Sequence, residues 1–359
     1  MSGKLLILLG TAKGVFVLRG DRARRHFEIE GPFCETLPVN HVIGDPVSGA
    51  LYAGGGNGWR GPSIWRSDDG GCNWMIIEQS FGPGLAEGGP RAIWSLAIQD
   101  GRLLAGGDQA ILFASDDGGR GFAPLGGLRD HPSREHWHGG GAGLILHSIV
   151  PHPGDPRQFW VAISAAGVFH TMDGGQSFTP RNRGTRADFM PEDQRYPEYG
   201  QCVHGLAMAA GNPGRLYQQN HCGMYRSNDG GQNWTSIEKG LPSSFGFPVV
   251  AHPRDPDTLF LVPLNGDMAG RFVPDAAAAV WCSRDAGENW QAMRQGLPQA
   301  HCYFCVLRQA MAVDPLEPAG LYFGSSSGSL YASFDEGESF TALATHLPVI
   351  QSVETFLVD

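Results

Sequence analysis

One eight-residue pattern, Ser/Thr-x-Asp-x-Gly-x-x-Trp/Phe, recurs six times, and no other feature constrains the fold of this chain as strongly. It occupies residues 67–74, 115–122, 171–178, 227–234, 283–290 and 333–340. Successive copies start 48, 56, 56, 56 and 50 residues apart. The residue types describe a hairpin turn. The Asp carboxylate accepts backbone N–H bonds within the turn, the Gly supplies positive φ, and the aromatic returns to the buried face.

Each copy follows a short strand pattern such as Gly167–His170 or Gly223–Arg226, and before that a second one such as Leu51–Ala53 or Phe159–Ala162. Earlier still come an Asp-Pro or Asn-Pro turn and another apolar strand, as at Ile149–Val150 and Leu206–Met208. No segment shows a convincing helical period. Four short strands in about 50 residues are a propeller blade. At the N-terminus, Leu5–Leu9 and Gly14–Leu18 read as later strands of a blade that lacks its innermost strand. The C-terminal segment from Leu347 to Val358 supplies a lone strand after the sixth copy. Joined, they predict a seventh blade that closes the ring and removes the free sheet edge. The expected architecture is all-β, a single seven-bladed β-propeller domain over residues 1–359.

Over their full length these units resemble the BNR/Asp-box, sialidase-like propeller proteins. Stretches such as His131–Arg134, Gly139–His147 and Gln219–Gly223 are similar to a bacterial subgroup labelled sialidase or glycosyl hydrolase by similarity. The resemblance implies a propeller fold and a hydrolase-like or lyase-like site for a polar, carbohydrate-like small molecule. It does not extend to sialidase catalysis. Sialidases are six-bladed, and this chain has no Phe-Arg-Ile-Pro-like segment. Seven-bladed photosystem assembly factors share the same repeat and imply the alternative, a non-catalytic binding or assembly propeller with a protein partner.

Composition narrows the partners. The net charge is −10 with 26 Lys+Arg, and the lysines are Lys4, Lys13 and Lys239 alone. An acidic chain without a basic tract is unsuited to nucleic acid or to a membrane surface. Seven scattered cysteines do not read as a disulfide framework, and Leu5–Leu9 is too short for a leader, so a reduced, cytoplasmic protein is expected. Cys302-Tyr-Phe-Cys305 stands alone and reads as structural thiols.

In a propeller the first strand of each blade lines the channel, and one face collects the loops entering those strands. Aligning the units places His41, Trp94, His147, His204, Phe247, Arg308/Gln309 and Ser352 around the channel mouth. Three imidazoles in one ring suit a divalent transition metal held by His41, His147 and His204, or acid–base chemistry. The plainer alternative is that these rings hydrogen-bond one another and trapped water. The adjacent loops add His221, Asn220, Arg60 and Asp267. A second cluster, His131, Glu135, His136 and His138, precedes four glycines; it offers a second metal site or a lid over the channel. The loop from Pro180 to Gly200 carries Arg181, Arg186 and Asp188. Guanidinium groups there suit a carboxylate or phosphate, and Asp188 or Glu135 suits a general acid or base. The expected site therefore takes His147, His204, His221, Asp188 and Glu135 as catalytic. It takes Arg60, Trp94, Arg181, Arg186, Asn220, Asp267, Arg308 and Gln309 as substrate-binding.

Overall fold

The computed structural model describes residues 3–77, 81, 89–266 and 268–358. Among these residues the chain is all-β apart from one turn of α-helix at Gly126–Arg129 and a few three-residue 3-10 turns. Five sheets have four strands and one has eight. A representative sheet runs Leu146–Pro151, Phe159–Ile163, Gly167–Thr171, Thr179–Pro180, antiparallel and in chain order. In the eight-stranded sheet, Val306–Val313 meets Ile350–Val358 through one parallel pair, Gln309 with Ser352. Beyond that seam, Ile350–Val358 pairs antiparallel with Lys4–Thr11, so both ends of the described chain lie in one sheet. Leu5 to Leu9 are fully buried, which explains why that segment is apolar on both faces.

The core lies between neighbouring sheets. Leu6, Leu8, Val15 and Val17 of the first strands pack against Val42, Leu51, Ala53 and Trp65 of the next sheet. The innermost strands lie side by side in chain order, and Ile350–Val358 contacts Val39–Gly44 to complete the circuit.

Each repeat is a tight turn between the third and fourth strands of its unit. The leading hydroxyl donates to the Asp Oδ1 at 2.6–2.8 Å in all six copies. The same oxygen accepts the N–H of the residue four positions on, at 2.8–2.9 Å. Asp Oδ1 in turn accepts the N–H four residues beyond itself. The fifth position is Gly in every copy, with φ between +85° and +94°. The fourth sits at +58° to +74°, which Ala286 and Glu336 also adopt, and so glycine is not strictly required there.

Every innermost strand is irregular near its start. The register shifts between Val39 and His41, Ile93 and Ser95, Leu146 and Ser148, and Val203 and Gly205. The extra residues are Asn40, Trp94, His147 and His204, and Gln351 holds the same place in the last strand. The sequence alignment therefore slipped by one at two positions. His41 and Ser352 belong with Ser95 and Ser148, because a bulge inserts a residue that period-two counting cannot see.

These turns dictate an acid response. Hydrogen bonds from the Asn73 amide and side chain hold the Asp69 carboxyl down at about 2. Burial opposes the same effect at Asp173, yet bonds from Ser177 and Thr171 still hold it at about 2. A carboxyl depressed in the folded state stabilises fully above its ordinary range, and that stability is lost as pH falls toward 2. Denaturant melts from pH 5 to 2 should show this decline, and Asp173→Asn should make it shallower by that one carboxyl's share. Ser227→Ala leaves the buried Gly231 N–H unpaired and should cost about 1–3 kcal/mol at neutral pH.

Candidate functional site

The bulge at His204 turns its ring across to the neighbouring sheet, where Nδ1–H donates to the Gly246 carbonyl at 2.7 Å. That bond leaves Nε2 as an acceptor, and it lies 3.5 Å from Cys202 Sγ. Cys202 immediately precedes the strand that carries this bulge, two residues before His204. His221 joins them from the turn after Asn212–Asn220, tied by its backbone N–H to the Cys202 carbonyl at 2.8 Å. Its ring stands edge-on to His204 at 5.3 Å and to Phe245 at 5.0 Å.

This trio lines a pocket of about 530 Å³. Its walls come from loops entering the innermost strands and from loops between second and third strands, which share one face. Phe189, Tyr199, Phe245 and Phe247 make it largely apolar. Over the mouth lies the loop carrying His136 and His138, whose glycines close a tight turn with the Gly143 N–H on the Gly140 carbonyl. His136 stacks on Tyr199 at 5.9 Å.

The charge in the pocket is positive. Arg271 and Arg308 line it, and no carboxylate does among the described residues. The Arg308 guanidinium lies over the Phe247 ring at 4.8 Å, and its buried Nε has no hydrogen-bond partner among the described residues. Among the described residues, no Asp or Glu forms an ion pair with it. Burial and the nearby Arg308 charge hold the His204 imidazole well below its ordinary value, so it is neutral.

Arg308 also lines a second cavity of about 230 Å³ further down the channel, with His41, His147, Gln309 and Glu354. There His147 Nε2–H donates to the Val203 carbonyl at 3.0 Å, and Gln309 donates to the His147 carbonyl at 2.6 Å. His41 accepts the Leu96 N–H on Nδ1 and meets Glu354 at 3.2 Å.

The structure thus divides the residues expected from sequence. His204, His221, His136, His138 and Arg308 share the upper pocket, while His41, His147 and Gln309 line the channel below. His41, His147 and His204 do not meet at one point. The group whose ligand atoms all lie within 4.8 Å of one another, among the described residues, is Cys202, His204 and His221. His131 faces inward instead, bonded to the Phe178 carbonyl and Ser133. Glu135 is exposed beside His136. Arg186 pairs with Asp188 and Glu238, and none of the three lines the pocket. Arg181 sits in a separate cavity with Trp160, His170 and Asp229. Asn220 is buried in an amide network with Gln201 and Gln218. Arg60 reaches only Glu35 on the surface, and Trp94 lines neither cavity. Asp267 lies outside the described residues. Cys202 and Arg271 were not anticipated; the usable signal was Cys202-Val-His204 at the head of a first strand.

Small four-stranded sheets with their innermost strands side by side around a channel make this chain a β-propeller. Solved structures agree. An ancestral GH74 enzyme matches with a TM-score of 0.59 and 18% identity over 85% of this chain, which spans only 38% of that enzyme's length. YCF48 bound to D1 peptide matches with a TM-score of 0.56 and 13% identity, covering 85% of this chain and 80% of that one. A candidate 6-phosphogluconolactonase from Bacteroides uniformis has a TM-score of 0.63 at 11% identity, covering 98% and 99%. No protein-family model and no curated protein sequence matches the chain. At these identities the likeness carries the fold alone.

The channel histidine gives a pH prediction. Burial, reinforced by the Arg308 charge, pushes His147 down to about 3. Its signal in a histidine NMR titration, assigned through His147→Gln, should not move between pH 7 and 5. Unfolded chains protonate this residue below about 6.5, so folding stability should fall as pH drops from there toward 3. The slope per such group is at most about 1.4 kcal/mol per pH unit, and the variant should lose it.

Proposed function

We propose that the chain is a single seven-bladed propeller of the Asp-box type whose pocket face binds and transforms an anionic small molecule with an apolar body. The reaction class is a hydrolase or lyase. The count of seven is supported by dividing the eight-stranded sheet at its parallel pair into two units beside the five four-stranded sheets. The observation that carries the ligand reading is Arg308, a guanidinium set into an apolar pocket with a buried, unpartnered Nε and no carboxylate facing it among the described residues. A buried charge of this kind needs an opposite charge, and the guanidinium fork pairs with a carboxylate, sulfate or phosphate. Aromatic walls take the rest of the molecule. His204 and His221 are the imidazoles that face it. Acid–base cleavage of a glycoside needs a carboxylate pair; the described lining has none, which turns the reading from neutral glycans toward charged substrates.

Benzoate and phenyl phosphate serve as probes against neutral benzamide. Both anions should raise the melting temperature and benzamide should not. Arg308→Gln should weaken their binding at least about tenfold, equivalent to about 1.4 kcal/mol. Equal binding of benzamide, or undiminished anion binding by the variant, would overturn the reading.

One observation favours the second reading, a docked protein segment. Trp59, Phe189, Tyr196, Met268 and Tyr303 are exposed on loops of the pocket face. Exposed apolar groups gathered on one face suit a contact surface, and a solved propeller neighbour, YCF48, holds a peptide. Trp59→Ala should leave benzoate binding unchanged, so a loss of function confined to that variant would select the docking reading.

A further inference from the structure

We infer that Cys202, His204 and His221 hold a single zinc ion whose fourth coordination position opens into the pocket. Zinc bonds of about 2.3 Å to sulfur and about 2.0–2.1 Å to nitrogen, at tetrahedral angles, separate S and N by about 3.6 Å. Cys202 Sγ and His204 Nε2 stand 3.5 Å apart. The three ligand atoms lie within 4.8 Å of one another, so a small turn of the His221 ring completes the set.

The surroundings orient these groups as a metal site requires. The Gly246 carbonyl takes the His204 Nδ1 proton at 2.7 Å and so aims the Nε2 lone pair at the sulfur. A carbonyl behind a ligating imidazole fixes its tautomer and ring plane. The His221 N–H bond to the Cys202 carbonyl fixes the distance between the two backbones that supply ligands.

The donor set chooses the ion. One thiolate and two imidazoles suit zinc, whereas magnesium and calcium require oxygen ligands. No carboxylate lines the pocket among the described residues. Three protein ligands with an open position is the pattern of reactive zinc rather than of structural zinc. On binding, the Cys202 thiol forms the S–Zn bond and releases its proton to solvent. The zinc–thiolate unit then carries one net positive charge beside Arg308, so the fourth ligand is an anion: hydroxide in the resting site, or the anionic group of the substrate. This inference goes beyond the anion-binding reading and stands without it.

The test is a zinc titration of the chelator-stripped full chain in an anion-poor buffer, against a competing chromophoric chelator. One equivalent should bind per chain. Cobalt should bind in its place, with the thiolate charge-transfer band and the visible bands of a tetrahedral ion. Cys202→Ser and His221→Ala should each weaken zinc at least about 100-fold, and Cys202→Ser should also abolish the charge-transfer band. Cys305→Ser, which alters a neighbouring thiol outside the trio, should bind as the wild type does. Thermal melts of the metal-free variants establish that they fold. Arg308→Gln should keep zinc while losing benzoate, which separates failure of this site from failure of the anion reading. Binding of less than about a tenth of an equivalent by wild type, or full binding by both ligand variants, overturns the proposal.

Discussion

The bulge at the head of each innermost strand is the constraint on which the rest of the structure depends. Regular pleating would send alternate side chains into the two sheet faces, where neighbouring sheets pack and no polar group is tolerated. Inserting one residue turns a side chain toward the adjacent sheet. Asn40 donates to the Ile93 carbonyl, His147 to that of Val203 and His204 to that of Gly246. Ser95, one place further on, reaches the Leu146 carbonyl. Each acceptor is the first paired residue of the next innermost strand. The sheets are therefore stitched around the channel by side-chain bonds, while apolar packing holds them together further out.

Two of those stitches are histidines, and this dual use defines the site. His147 spends its polar capacity inside the channel, on the Val203 carbonyl and on Ser148. His204 spends only one nitrogen on the stitch and leaves the other facing Cys202. The same fold element thus yields a structural imidazole in one unit and a chemically available one in the next. Loop length adds the second difference. The long segments before Leu146 and Val203 bring His136, His138, Phe189 and Tyr199 over the face where His204 lies.

The fold was legible because its signal is repeated. Six copies of one turn at near-constant spacing specify a unit, and the hydroxyl–carboxylate–amide bonding of each turn explains every residue the pattern retains. The site was less legible because it depends on register. A one-residue slip placed His41 beside His147 and His204, although His41 belongs one step along, against Leu96 and Glu354. Cys202 escaped notice because a lone cysteine carries no signal until a neighbouring chain segment brings His221 to it. The arginines of the Pro180–Gly200 loop looked like an anion site. In the fold Arg186 is neutralised by Asp188 and Glu238, whereas Arg308, from a different strand, lines the pocket and forms no ion pair with an Asp or Glu among the described residues.

A pocket lined by arginine within a chain of net charge −10 separates two ranges of electrostatics. Beyond a Debye length, about 8 Å at physiological salt, the acidic surface is screened and neither attracts nor repels an anion strongly. Within the pocket, Arg308 is buried against the Phe247 ring, where the effective dielectric is lower, so its charge acts on a group in contact with it more strongly than a surface charge would. Selection must therefore occur at contact and not during approach. A neutral molecule of the same shape would leave the guanidinium desolvated and unpaired, and would bear that cost on binding. On the proposed reading the ligand is a small anion with an apolar body, held by Arg308 in the pocket that Cys202, His204 and His221 also line.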